Sequence, residues 1–163
     1  MSLNHPCKEL IWVIQPDANV AANRQADYTD GSVAYLGKDT LLNAKLQLNG
    51  HDRFAVRDAT YFNVVQPYQH HTRVPATGIY CYSFAINPEQ HQPSGSVNMS
   101  RIDNATLLLN LSTGSANVKL RVYAINYNVL RIMAGMGKEN AHKSIIPFTK
   151  SEQDTYMMLV SCC

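Results

Sequence analysis

Residues 41–48 read Leu-Leu-Asn-Ala-Lys-Leu-Gln-Leu and run straight into Asn49-Gly50. Successive side chains on an extended strand point to opposite faces, so Leu42, Ala44, Leu46 and Leu48 fall on one side and Asn43, Lys45 and Gln47 on the other. Asn-Gly suits a two-residue type I′ turn, whose central residues both need positive φ. The two signals together predict a hairpin, with a return strand over residues 51–56. A half-buried strand closed by a tight turn demands a sheet, and that demand governs the rest of the chain.

The same pattern recurs along the sequence. Residues 8–15 alternate Leu10, Trp12 and Ile14 with Ile11 and Val13, so both faces are apolar, and Pro16-Asp17 ends the run. Residues 17–40 hold little apolar content beyond Val20, Val33, Tyr35 and Leu36. They read as a long loop, a length usually tied to function or an interface. Residues 60–66 are β-branched and aromatic on both faces and predict a strand stopped by Pro67. Residues 78–87 set Tyr80, Tyr82, Phe84 and Ile86 against Ile79, Cys81, Ser83 and Ala85, and Asn87-Pro88 ends them because proline donates no ladder hydrogen bond. Gln92-Pro93-Ser94-Gly95 is a turn. Residues 105–111 form a short apolar strand, and residues 117–133 open with Val118, Leu120, Val122 and Ala124 opposite Lys119, Arg121 and Tyr123. Parity slips at 126–128, which predicts a bulge or bend. Six or seven short strands with almost no helical period predict an all-β sandwich. Periodicity alone does not choose a jelly roll over its Greek-key relatives.

Composition bounds the function. A chain of 163 residues suits one domain, burying roughly 70% of its unfolded surface. With 45% hydrophobic and 16% charged residues it is globular rather than disordered. The net charge of +2 comes without a Lys/Arg cluster, which argues against a dedicated nucleic-acid site. No apolar run reaches the roughly 18 residues that span a bilayer, and no signal peptide opens the chain. Cys7 and Cys81 sit in strand-like runs and read as buried thiols, consistent with a reducing compartment such as the cytosol. Cys162-Cys163 resembles a double-cysteine prenylation end, but without a C-a-a-X box it reads as a plain terminus.

Candidate chemistry is sparse. His70-His71 is the best metal candidate, yet neighbours on a strand point apart, and the next acid, Glu89, lies beyond a turn and a strand. His91 as a third ligand matches no metal spacing, so a structural role is expected for these histidines. Asp52 and Asp58 flank Arg53 and Arg57, which suggests local ion pairs beside the hairpin; Arg101 and Asp103 suggest a turn network. No Gly-x-Ser-x-Gly, phosphate-cradling loop or Cys/His nucleophile pair is present. The expectation is no catalytic, metal or cofactor residue. Asn98-Met-Ser100, Asn104-Ala-Thr106 and Asn110-Leu-Ser112 are formal glycosylation sequons, with Asn110 expected in a buried strand.

Residues 63–110, NVVQPYQHHTRVPATGIYCYSFAINPEQHQPSGSVNMSRIDNATLLLN, resemble a signature block of the major capsid proteins of nucleocytoplasmic large DNA viruses. HPCKELIWV (5–13) resembles the family strand entering the second jelly roll's sheet. LNGHDRF (48–54) resembles its hairpin, the stretch from Tyr61-Phe62 to Gln66-Pro67-Tyr68 the following strand, and YAINYNVLRI (123–132) the final strand. The resemblance implies a jelly-roll β-sandwich, the second of the family's two per chain and lacking its opening strands. It also implies a structural protein of an icosahedral shell that forms homotrimeric capsomers. Partners would be other copies in the same and neighbouring capsomers, with minor capsid proteins besides, and no specific nucleic acid or membrane span. The location implied is the virion, assembled in the host cytoplasm.

Residues 1–137 are expected to be the capsid domain, and residues 138–163 a tail without family counterpart. In that tail Ser151-x-x-Asp154 would cap a short helix, or residues 156–160 would form an edge strand. The chain is expected to be a fragment or truncated form. A different reading is a free-standing jelly-roll binding module for carbohydrate or host attachment, with Tyr68, Gln69 and His70 as its loop. A cupin-type metal enzyme comes third.

Overall fold

Trp12 marks the centre of the molecule. It lies on β1 (Pro6–Pro16), which pairs antiparallel with β5 (Ile79–Ser83) on one side and β8 (Val118–Asn126) on the other. A short β6 (Val97–Asn98) continues the β5 side at Pro6 and Cys7. The second sheet is built on β2 (Leu41–Leu48), flanked by β7 (Ala105–Leu111) on one side and by β3 (His51–Asp52) and β4 (Arg57–Asp58) on the other. The structure, a computed structural model, describes residues 3–112 and 117–128. It also gives the backbone of β9 (Arg131–Met133), β10 (Met136–Lys138) and β11 (Tyr156–Met158). β9 and β10 pair with each other, and β11 joins the second sheet along β7.

The sheets face each other across one apolar cluster. Leu10, Trp12 and Ile14 of β1, Tyr80 and Tyr82 of β5, and Val118 and Leu120 of β8 come from the first. Leu41, Ala44 and Leu46 of β2 and Ala105, Leu107 and Leu109 of β7 come from the second. Two antiparallel sheets enclosing one core make a β-sandwich, the predicted class. Phe84 joins the core only at its margin, half-buried, with its ring edge-on to Tyr82 at 5.2 Å.

Where a local rule acts alone, the expectations hold. β2 spans the predicted residues, and Asn49 and Gly50 take φ of +50° and +80°, as a type I′ turn requires. β7 matches its predicted span, and β8 stops at Asn126, where the parity slips. Several expectations change. The return strand shortens to His51–Asp52 and resumes only at Arg57–Asp58. Leu42 turns outward, 49% exposed, because a register shift between Leu41 and Asn43 hands its core position to Leu41. β5 ends at Ser83, because the amides of Phe84 and Ala85 both donate to the Lys8 carbonyl, at 2.8 and 3.1 Å.

Residues 60–66 are not a strand. Tyr61–Val65 form a single π-helical turn that runs into α2 (Gln66–His70). Phe62, Asn63, Gln66 and Pro67 are buried while Val64 and Val65 are exposed, a helical spacing hidden beneath β-favouring side chains. Pro67 fits in the first helical turn, where no amide is needed. Gln66 fixes the segment from inside: its carbonyl accepts from the Ser83 amide at 3.0 Å and its amide donates to the Tyr61 hydroxyl at 3.0 Å. In the tail, Tyr156–Met158 takes the strand alternative, and the Ser151–Asp154 cap lies outside the described residues.

Candidate functional site

The loops that leave the sandwich carry its distinctive features. After β1 comes a single helical turn, α1 (Asp17–Ala21), and then residues 22–40, which fold around polar side chains. Asp27, 1% exposed, accepts at Oδ1 from the Thr29 amide (3.1 Å) and hydroxyl (2.6 Å), and at Oδ2 from the Tyr35 amide (3.1 Å), with Arg24 at 3.4 Å. Buried Asn19 donates to the carbonyls of Asp27 and Thr29 and accepts from Arg24. Asp30 accepts from Ser32 and from the Lys38 amide, closing the outer part of the loop.

This frame holds Val33, Tyr35 and Leu36 outward, the last 81% exposed. A rigid mount for exposed apolar side chains lowers the ordering cost of contact with another surface. The frame was not foreseen. Its signal is the repeated Asp-x-Ser/Thr of 27–29 and 30–32, because short polar side chains after an aspartate bond back to it in turns.

Asp39 ties the loop to the wall. It accepts from Tyr80 Oη (3.0 Å) and from Asn63 Nδ2 (3.0 and 3.1 Å), and Tyr80 Oη accepts from the Leu41 amide (3.2 Å). Beside it, an open groove of about 810 Å³ runs along Pro16, Asp30, Lys38, Asp39, Leu42 and Asp58.

Burial works against the Asp27 charge, but the Thr29 hydroxyl, the amides of Tyr35 and Thr29, and Arg24 outweigh it and hold the carboxyl below its ordinary value. A lowered folded value contributes stability above the unfolded value, and that contribution is lost as pH falls through the folded one. Protection of residues 22–40 against amide exchange, corrected for intrinsic rates, should therefore fall in acid before that of β7 does, and Asp27→Asn should shrink the difference. Equal acid response of loop and strand would contradict this role.

The remaining sequence candidates scatter. His70 and His71 end α2 rather than alternating on a strand, and they still part company: His70 Nδ1 lies 2.8 Å from the Ile86 carbonyl, while His71 sits between Glu9 and Glu89. Glu89, distant in sequence, is thus a direct neighbour of His71. Among the described residues no group of three His, Cys, Asp or Glu is placed to hold a metal. Asp52 pairs with Lys45 and Gln47 across the hairpin rather than with Arg53, and Arg57 lies over the Tyr61 ring at 5.5 Å. Asn104, not Asp103, holds its turn, through Asn49. Cys81 is buried, and burial with the nearby Glu9 charge pushes its thiol up to about 12, so it is a poor nucleophile. Cys162 and Cys163 lie outside the described residues.

Asn98 caps a turn through Ser100, and Asn110 is exposed rather than buried, on the outer face of β7. Tyr68 stands 81% exposed on α2 beside Gln69 and His70. No helix among the described residues is long and apolar enough to cross a membrane. The arrangement offers apolar and polar contact surfaces on a stiff wall.

Comparison with known proteins agrees with that picture. Residues 1–138 match the family described as large eukaryotic DNA virus major capsid protein. The major capsid protein of Phaeocystis pouchetii virus is 40% identical, over 84% of this chain and 43% of its own length. That of Chrysochromulina ericina virus is 65% identical over 62% of this chain and 18% of its own. Among solved structures, a quasi-atomic model of the PBCV-1 virus capsid superposes with a TM-score of 0.72 at 36% identity, over 88% of this chain and 45% of the other. The chain therefore spans less than half the length of these relatives.

Proposed function

The chain belongs to the family of large eukaryotic DNA virus major capsid proteins, and from that membership we propose that it works as a wall element of an icosahedral virion shell. Residues 1–137 form the capsid unit, and residues 138–163 are an appended tail. Copies associate as trimeric capsomers, capsomers tile the shell, and minor capsid proteins are further neighbours. Assembly takes place in the host cytoplasm, with no reaction catalysed and no specific nucleic acid bound.

The observation that carries this reading is one overlap. Residues 1–138 match the family, and the described residues among them carry both faces of a two-sheet sandwich that superposes on a virus capsid structure. The work is geometric: the sheets supply stiffness, while residues 17–40, 67–77 and 87–96 meet neighbouring copies or the exterior. Electron micrographs of concentrated protein should show particles with threefold symmetry. A binding module for carbohydrate would instead give unassembled protein that captures glycans through Tyr68, Gln69 and His70, and a glycan array separates the two.

The loop tip gives a sharper test. Leu36→Asp replaces an exposed side chain, so folding stability should move by no more than about 0.5 kcal/mol. If Val33, Tyr35 and Leu36 meet a neighbouring copy, the charge should shift the mass distribution toward monomer. An unchanged distribution would place the contact elsewhere.

A further inference from the structure

Glu9, His71 and Glu89, far apart in sequence, meet where β1, the end of α2 and the loop after β5 come together. His71 Nε2 lies 2.8 Å from Glu9 Oε2, and its Nδ1 lies 3.2 Å from Glu89 Oε1. The Glu9 side chain is 4% exposed, and Glu9 Oε2 and His71 Nε2, which face each other at that distance, have no hydrogen-bond partner among the described residues. An ionised carboxylate only accepts, and a neutral imidazole carries a single N–H. Both contacts are therefore satisfied together only when the trio holds two protons: both on the ring, or one on the ring and one on a carboxyl. With a single proton, one carboxylate faces a ring lone pair. If that carboxylate is the buried one, the cost is that of an unpartnered buried charge.

The same contacts fix a loop. The Thr72 amide and hydroxyl donate to Glu89 Oε1 at 3.1 and 3.3 Å, Lys8 Nζ donates to the carbonyls of Pro88 and Gln90 at 3.0 and 2.9 Å, and His70 Nδ1 approaches the Ile86 carbonyl. Residues 86–90 are thus pinned to β1 and α2 by a set of side chains whose centre is His71. We propose that Glu9, His71 and Glu89 form a proton-dependent latch, closing residues 84–96 onto β1 while the trio holds two protons and releasing them when one leaves to solvent.

The other groups facing the trio are Lys8 on β1, Cys81 on β5, and His70 and Arg73 on its own segment. The Cys81 thiol, pushed up to about 12, stays protonated across the working range. Burial pushes the Glu9 carboxyl above its ordinary value, against the pull of His71 and Lys8. A raised folded value contributes stability at low pH that is lost as pH rises through it. The Thr72 amide, with its hydroxyl and His71, holds Glu89 below its ordinary value, so the Glu89 contribution is lost only in stronger acid. The latch is therefore closed between those limits and opens on the alkaline side.

The test is amide exchange on the full chain from about pH 5.5 to about 8.5, corrected for intrinsic rates, with β7 as internal control. Loss of one proton per opening event should reduce protection of residues 84–96 by up to about tenfold per pH unit while β7 stays unchanged. Glu9→Gln should stay closed throughout, because its amide donates to Nε2 while Nδ1–H serves Glu89. His71→Gln should give a flat profile for the opposite reason, with no imidazole left between the two carboxylates. A flat profile in the unaltered chain overturns the latch, as does a pH-dependent fall that persists in either variant while β7 remains protected. The readout lies within a single chain, so a failure to assemble would leave it intact.

Discussion

Trp12→Ala should lower unfolding free energy by ~3–5 kcal/mol, the largest effect of any single core truncation in this chain. Trp12 is wholly buried at the middle of β1, where its ring meets Phe62 edge-on at 5.2 Å and stacks near Tyr80 at 6.1 Å. Phe62 in turn touches Phe54 at 5.6 Å, and Phe54 touches Tyr82 at 4.7 Å. The aromatic train joins the first sheet to the helical segment 61–70, so a void at Trp12 removes contacts on both sides. A domain of this size holds only about 5–15 kcal/mol in total, so the variant should unfold near ambient temperature or fail to accumulate. Phe84→Ala should cost clearly less, because Phe84 sits half-buried at the edge of the same train. Denaturant titration of the pair checks the ranking, and equal losses would remove Trp12 from the centre.

Gly78→Ala should be the most damaging of the small substitutions. Gly78 takes φ of +92°, and a Cβ there would lie 2.7 Å from the carbonyl carbon of Tyr28 and closer still to its oxygen. The backbone strain is worth about 1–3 kcal/mol, and forcing an atom into packed structure adds about 1–3 kcal/mol. Neither Tyr28 backbone atom can swing aside as a flexible side chain would. The damage should be directional, since Gly78 lies just before β5 against the Tyr28 backbone of the polar-framed loop, and displacing Tyr28 should loosen residues 22–40. Faster exchange in that loop, with thermal unfolding at a lower temperature, is the expected pair of results. Gly50→Ala provides the contrast, with positive φ but open space around its Cβ; a Gly78 effect no larger than that of Gly50 would mean that close packing under the loop is unimportant.

The parts of the fold that were legible in the sequence obey rules acting within a few residues. The span of β2 and the φ requirement of its Asn49-Gly50 turn were readable to the residue. The segment around Phe62 was not, because its β-branched and aromatic side chains favour strand locally. What makes it helical is non-local: the Gln66 bonds to Ser83 and Tyr61, and a core that takes Phe62. Leu42 was misplaced for a related reason, since a single-residue slip in pairing with β7 reverses which leucine faces inward.

The choice of a jelly roll over another sandwich came from resemblance rather than periodicity. The candidate surfaces divide in the same way. The Asp27 frame is local and leaves an Asp-x-Thr trace in the sequence. The Glu9–His71–Glu89 meeting depends on the packing of three separate elements, and no spacing in the sequence announces it.

The most direct test of the shell reading is the solution mass of the purified 163-residue chain by size exclusion with light scattering. The expected result is a discrete species of three chains, stable to dilution over the accessible range. A monomer that persists at every concentration would contradict the proposal that this sandwich carries the contacts of a capsomer.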